Sequence, residues 1–496
     1  MSYEGKRYAH VLFTIKKNPF NRMKSNKEKK NNLHRREFIK GVAMSSLGLM
    51  ILPRHTLGGK GYIPPSDKVN IGIIGAGGQS MYSIKELLKL EDVQLTAIAD
   101  PANYWKNDIL YRSDSGRGPT KKFIENYYSS KTPNYQIAEY EDFRVMLEKE
   151  KSLDAIVCAT PDNTHAYVSV LAMRAGKHVY CEKPLTHNIW EVRKVRDVAR
   201  ETGLATQMGN QLHSSDNIRQ TVEYLRGGAI GTVREAYSWV SATRWIPGLS
   251  GFPKDTTPVP KGFNWDLWLG PTSWHPYNKI YTPVKWRDFW AFGCGALGDF
   301  GCHDMDAVTW AFNLPAPVSV EVFPAGNKGN PDIAPYGEVG YYQFPANGGQ
   351  PPFKLTWYSG GLRPSHSDLL PRDVNLVGRG AMFVGENGII LNNGGATSAP
   401  QIFPENLRDS FTPPVASIPR SKGHHREWID AIKGGPMALS NFEYGTRLTE
   451  IVLLGVLSLR LGGKKIYWDA RNMKAIGLPE AEEIIREPVR KGWEMS

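Results

Sequence analysis

Cysteine is scarce in this chain: Cys158, Cys181, Cys294 and Cys302 are the only four in 496 residues. No two form C-x-x-C and their spacing matches no zinc motif, so neither a disulfide scaffold nor a metal centre is expected. Outside one short segment near the start, no apolar run approaches the roughly 20 residues of a spanning helix. No internal repeat is present. Charge of one sign is also missing from most of the chain. The formal net charge is +12, yet residues 1–60 hold 14 Lys and Arg against 3 acids, while the rest holds 47 against 46. A body so close to neutral gives no electrostatic case for a nucleic-acid partner. At 41% hydrophobic and 22% charged residues, the composition is ordinary for a globular chain of two or three domains.

The displaced charge belongs to a leader, residues 1–60. His34-Arg35-Arg36-Glu37-Phe38-Ile39-Lys40 is a twin-arginine core followed by two bulky apolar residues and a lysine. The uncharged run from Gly41 to Leu52 comes next; its 12 residues suit a signal h-region and are too few for a membrane span. The order of charge, motif and apolar run resembles the signal of bacterial proteins exported folded by the twin-arginine machinery, which implies a periplasmic protein. A basic tail without a signal role is the alternative. Met23 lies nearer the motif than Met1 and reads as the more natural start.

Beyond Pro64-Pro65 the pattern alternates. Apolar runs at 69–74, 93–99, 155–159, 178–182 and 205–209 are separated by helical patterns, among them 165–175 and 189–202. This alternation predicts a parallel sheet with helices on both faces over 67–211. From 212 to 496 strand-like runs at 233–240, 318–323 and 353–358 come with frequent Gly and Pro, which predicts an α+β domain with a largely antiparallel sheet. Late helices are expected near 427–432 and 446–461. Seven of the 14 Trp fall within the loop region 239–293. Most are expected to fill a core under a long loop, and one or two to line a pocket.

Three segments carry chemistry. The run 69–74 leads into Gly75-x-Gly77 and then a helix, which suits a dinucleotide: Gly75 permits the tight turn, Gly77 admits a pyrophosphate, and the helix N-terminus supplies N–H groups. Ser80 replaces the third glycine of that fingerprint. Asp100, 25 residues after Gly75, can accept bonds from ribose hydroxyls and would repel a 2′-phosphate, favouring NAD over NADP. It also reads as a plain turn residue before Pro101. The second segment, Glu182-Lys183-Pro184, ends a strand where ligands of parallel sheets bind, so Lys183 can reach a cofactor; a surface lysine reads equally from spacing. The third is the Gly-rich turn into Asp299-x-x-x-His303. At i and i+4 of a helix, a carboxylate beside an imidazole orients it and raises its basicity, as a general base requires. A helix-surface ion pair is the bland alternative.

Together these motifs resemble the Gfo/Idh/MocA oxidoreductases, over about residue 67 to the end. The resemblance implies a Rossmann domain followed by an α+β domain with an open, largely antiparallel sheet that often forms oligomer contacts, hence a homo-oligomer. It implies His303 as the base taking a hydroxyl proton, Lys183 bonding the reacting oxygen and positioning the nicotinamide, and Asp299 binding substrate and coupled to the histidine. Thr160, Asn163 and His165 match a segment that lines the cofactor, although His165 also reads as a capping or packing residue. The candidate cofactor set is then Gly75, Gly77, Gly78, Gln79, Asp100, Thr160, Asn163, His165, Glu182 and Lys183, with NAD expected. His213, Arg244, Trp245 and Arg287 are candidate substrate contacts.

The expected activity is hydride transfer to or from a hydroxyl-bearing carbon of a sugar, glycoside or inositol. An exported enzyme has little free NAD to draw on, so a tightly held cofactor cycling between two sugar-type substrates is expected. A glycoside hydrolase using transient C3 oxidation is the alternative. A silent cofactor- or sugar-binding protein is a third reading.

Overall fold

The computed structural model describes residues 63–326 and 330–495. The twin-arginine segment lies outside the described residues. In chain order the first part comprises β1 (Val69–Ile74), α1 (Ser80–Leu88), β2 (Val93–Ala99), β3 (Trp105–Asn107), β4 (Ser113–Ser115), α2 (Arg117–Ser129), β5 (Ala138–Tyr140), α3 (Phe143–Lys149), β6 (Ala155–Cys158), α4 (Asp162–Arg174), β7 (His178–Cys181), α5 (Ile189–Thr202) and β8 (Thr206–Met208). Six of these strands form a sheet in the order β5-β2-β1-β6-β7-β8. Every neighbouring pair is parallel. β6 is buried at all four positions, as a central strand covered on both faces must be. α5 has the predicted bounds. It starts at a capping box in which Asn188 accepts from the Glu191 N–H at 3.0 Å, and it stops at Gly203 in the left-handed region. Such a cap is worth about 1 kcal/mol.

The second part adds α6 (Asp216–Arg226), β9 (Val233–Val240), α7 (Trp265–Leu269), α8 (Gly295–Asp304), α9 (Asp306–Ala311), β10 (Ser319–Ala325), β11 (Gly337–Phe344), β12 (Phe353–Tyr358), β13 (Arg379–Gly385), β14 (Ile389–Asn393), β15 (Gln401–Phe403), α10 (Glu405–Ser410), α11 (His424–Ile432), α12 (Phe442–Arg460), β16 (Ile466–Asp469), β17 (Lys474–Ala475) and α13 (Glu482–Ile485). Nine strands form a sheet in the order β15-β14-β13-β9-β12-β11-β10-β16-β17, in which only β9 and β12 run parallel. The fold is the Rossmann sheet followed by a mostly antiparallel sheet that the sequence pattern implies. α12 carries an almost unbroken buried run from Phe442 to Leu459 and packs against α5, α8 and β10. Its burial on all sides explains why its sequence shows little polar face.

The tryptophan-rich region is more ordered than a loop. Trp239 lies on β9, Trp265 and Trp268 lie on α7, and Trp286 lies in a 3-10 turn, Lys285–Asp288. Trp265 stacks on Trp268 at 4.9 Å and on Tyr281 at 5.8 Å, within an aromatic cluster that includes Phe289 and Phe292. The Asn264 side chain caps α7 by accepting from the Leu267 N–H. The β3–β4 hairpin has no counterpart in the sequence pattern, because three-residue strands are too short to show a period.

Candidate active site

β1 ends at Ile74, and the chain turns at Gly75 with φ +88°, where a side chain would meet the Ala159 carbonyl oxygen at 2.6 Å. Gly77, at φ +143°, faces Ser115 of the β3–β4 hairpin just as closely. Ser80 explains the missing third glycine. Fully buried, its Oγ accepts from the Gly77 N–H at 2.7 Å and donates to the Gly77 carbonyl at 2.8 Å, bracing the turn. Asp100 accepts the Ala76 N–H on one oxygen at 2.6 Å and the Ala102 N–H on the other at 2.7 Å. Burial pushes its carboxyl up to about 6, against the pull of those two donors. Asp100 thus fastens the glycine turn to the end of β2.

Lys183 lies two residues beyond the end of β7. Its Nζ donates to the Asp299 backbone carbonyl at 2.9 Å and to the Asp299 carboxylate. Arg287 places Nε 3.7 Å from the same carboxylate oxygen, while its guanidinium lies 4.2 Å over the Trp286 ring. Burial alone would raise the Asp299 carboxyl, but the Lys183 and Arg287 charges outweigh it and hold the group down at about 2. His303 sits one turn further along α8. Burial, then the charges of Lys183 and Arg379, keep its imidazole well below the usual histidine range, with Asp299 opposing. It is therefore neutral near pH 7 and able to take a proton. Among the described residues, His303 Nδ1 is buried without a hydrogen-bond partner. The expected bond between Asp299 and His303 gives way to a different arrangement: Asp299 holds Lys183, and it acts on the imidazole only through its charge.

Glu182 precedes the lysine. Its Oε1 accepts from Gln211 at 2.9 Å and from Gln79 at 3.4 Å, while Oε2 is buried and unpartnered among the described residues. Burial raises this carboxyl to about 7, against Lys183 and His165. His165 is held between two carbonyl oxygens, Pro184 at 2.7 Å and Thr160 at 2.8 Å, and so anchors the Lys183-Pro184 turn. By distance alone Cys158, His165 and Cys181 could hold a metal ion. Both imidazole nitrogens already face carbonyl oxygens, however, and the spacing of the three residues matches no metal motif.

One cavity gathers most of the predicted residues: Gly75, Gly77, Gly78, Gln79, Asp100, Thr160, His165, Glu182, Lys183, Arg287, Asp299 and His303 all line it. Four predicted residues do not. The Asn163 amide is spent on the Leu269 carbonyl at 2.9 Å and Thr272 Oγ1 at 2.8 Å, bridging α4 to the tryptophan-rich region. His213 is fully buried, bonded to Asp306 at 3.0 Å and stacked on Trp310 at 4.0 Å. Arg244 donates to the Ala334 carbonyl at 3.3 Å, and the Trp245 backbone N–H donates to Asp288 at 2.8 Å. Both fix loops. Several wall residues were not visible in the sequence, Tyr111, Arg379 and Trp493 among them. Tyr111 comes from the hairpin, over Gly78. Arg379 comes from β13; its Nε donates to Asp304 at 2.6 Å, and its Nη2 is buried and unpartnered among the described residues. No local signal marks Arg379, because only the pairing of β13 with β9 brings it to α8.

The donor set suits a dinucleotide. The sheet order reverses beside β1, where ligands of open parallel sheets bind. The glycine turn leaves no room for side chains and opens onto the N-terminus of α1.

Comparison with known proteins agrees. Residues 69–210 match the oxidoreductase family model GFO_IDH_MocA, with an NAD-binding Rossmann fold, and residues 234–342 match that family's C-terminal alpha/beta domain. Among curated proteins the chain is 23% identical over 233 residues to an alpha-N-acetylgalactosaminidase of Shewanella oneidensis, covering 43% of this chain and 48% of that protein. It is 24% identical over the same length and shares to a glycosyl hydrolase family 109 protein of Shewanella baltica. The chain spans about half the length of these curated relatives. Among solved structures, the WlbA dehydrogenase of Bordetella pertussis, in complex with NADH and UDP-GlcNAcA, superposes with a TM-score of 0.54 at 16% identity, over 81% of this chain and 99% of that one. An aldose-aldose oxidoreductase from Caulobacter crescentus, complexed with glycerol, gives 0.50 at 17% identity, over 81% and 100%. At such identities the likeness is one of fold.

Proposed function

Since the chain belongs to the Gfo/Idh/MocA family of oxidoreductases, we propose that it transfers hydride between tightly held NAD and a hydroxyl-bearing carbon of a sugar, glycoside or inositol. One observation carries this reading. A lysine–carboxylate pair and a neutral imidazole meet in the wall of the same cavity that the glycine turn opens onto. NAD, when bound, supplies the hydride acceptor or donor. The residues of the chain do the rest. Gly75 and Gly77 let the backbone approach a pyrophosphate, and Asp100 faces the adenosine side with a carboxylate that disfavours a 2′-phosphate. Lys183 Nζ, kept charged by Asp299, donates to the reacting oxygen and balances charge as the hydroxyl proton leaves. The His303 imidazole accepts that proton.

The experiment is direct. Sugars, methyl glycosides and inositols are added to the purified protein, and reduced nicotinamide is followed by its absorbance. His303→Ala and Lys183→Ala should retain nucleotide and lose turnover by about 10²-fold or more. Near-native rates in both variants would overturn the assignment.

The glycosidase relatives favour a second reading, in which transient oxidation at C3 makes the C2 proton acidic enough for elimination. It predicts release of free sugar from an aryl glycoside, solvent deuterium at C2 and no net reduced nicotinamide. Export by the twin-arginine route and a homo-oligomer joined through the nine-stranded sheet accompany the main reading. The exposed Phe323 and Tyr467 on β10 and β16 support the second of these.

A further inference from the structure

The cavity has a second, apolar end that the reaction does not use. Beyond Asp100, its walls are Phe143, Val168, Leu267, Trp268 and Trp493. Trp493 is far from the others in sequence and comes from the segment that follows α13. That segment is fastened at two points. Glu487 bonds His187 at 2.9 Å and pairs with Arg460 of α12. Arg490 donates to the Gly270 carbonyl through Nε at 3.0 Å and Nη2 at 2.7 Å, while its own N–H reaches the Pro271 carbonyl. Between these anchors and the end of the described chain, Trp493 turns inward. Its ring, 5% exposed, lies 4.8 Å from the Tyr167 ring and 6.4 Å from Phe143. The Arg144 guanidinium covers it at 4.5 Å. The ring thus joins α3 and α4 of the Rossmann sheet to Gly270, just past α7.

The sheet order says which half of a dinucleotide would lie there. Lys183 follows β7, on one side of β1; Asp100 and Glu141 follow β2 and β5, on the other. With the reacting half at Lys183, the adenosine half falls on the β2–β5 side. The apolar end therefore takes a flat, uncharged purine ring, to which the indole, covered by Arg144 and packed by Tyr167, presents an apolar wall.

We propose that Trp493 forms one wall of the adenine slot and latches the dinucleotide in place. This rests on the cofactor reading above and goes beyond it, by giving retention of the cofactor to the segment Glu487–Trp493. The geometry also explains the Arg490 anchor: released from Gly270, the segment could not hold the indole against α4.

The test uses the purified full chain and two half-ligands, ADP-ribose and nicotinamide mononucleotide, each competing for the NAD site. Trp493→Ala should weaken ADP-ribose by about tenfold or more and leave nicotinamide mononucleotide within about twofold. Trp493→Phe, which keeps an aromatic face, should recover most of the loss. Arg490→Gln should give the same selective loss as Trp493→Ala, and it answers the question if Trp493→Ala does not fold. Equal weakening of both half-ligands, or none of either, overturns the latch. If the unaltered protein holds no NAD and neither half-ligand binds, the cofactor reading itself fails.

Discussion

Lys183 Nζ is bound twice by a single residue, to the Asp299 carboxylate and to the Asp299 backbone carbonyl at 2.9 Å. The lysine is thereby aimed by α8, the helix that also carries His303. Asp299→Asn removes the charge and keeps the shape. Turnover is expected to fall by about 10²-fold, since the lysine loses the partner that keeps it charged and in place. Nucleotide content should stay native. Steady-state kinetics with nucleotide analysis of the same sample checks both, and an unimpaired rate would deny Asp299 its role.

The neutral state of His303 has a testable cause. Burial is the largest cause, and two neighbouring cations, Lys183 and Arg379, push its proton off further. The acid limb of kcat/KM should therefore lie below 6.5, the ordinary histidine value. Arg379→Gln removes one cation, so the limb should move up toward 6.5. A pH profile of the variant that stays in place, or moves down, contradicts this electrostatic account.

Glu182 links stability to pH in the opposite sense from a surface carboxylate. Its carboxyl is raised from 4.5 to about 7 by burial. The stability contributed by the neutral form is fully present below 4.5 and is lost as pH rises through 7. Glu182→Gln keeps the oxygen that accepts from Gln79 and Gln211 and removes the charge. The variant should gain on the order of 3 kcal/mol over the native protein at pH 8 and almost nothing at pH 4.5. Thermal melts at the two values, with nucleotide removed, read the difference. Equal shifts at both would mean that the charge is not what matters.

Most of what positions the site was legible in the sequence, because it is local. The strand–turn–helix at 69–88 and the i, i+4 spacing of Asp299 and His303 need no tertiary information. The partner of each group was less legible. The sequence places Asp299 beside His303, but the fold brings Lys183 from a different domain's strand to claim the carboxylate. Asn163, His213 and Arg244 are polar residues near the right segments, yet each side chain is turned to a loop or a buried partner, and Trp245 is held by its backbone N–H on Asp288. Arg379 and Trp493 reach the cavity only through strand pairing and the path of the chain after α13, which no periodicity records.

The central claim is that this cavity holds NAD through the life of the purified protein. Denaturing the protein and identifying the released nucleotide by mass spectrometry tests it most directly. The account predicts NAD, close to one per chain, with Asp100 excluding the 2′-phosphate. Release of NADP would contradict the role given to Asp100, and a protein that yields no nucleotide and binds none when NAD is added would contradict the claim itself.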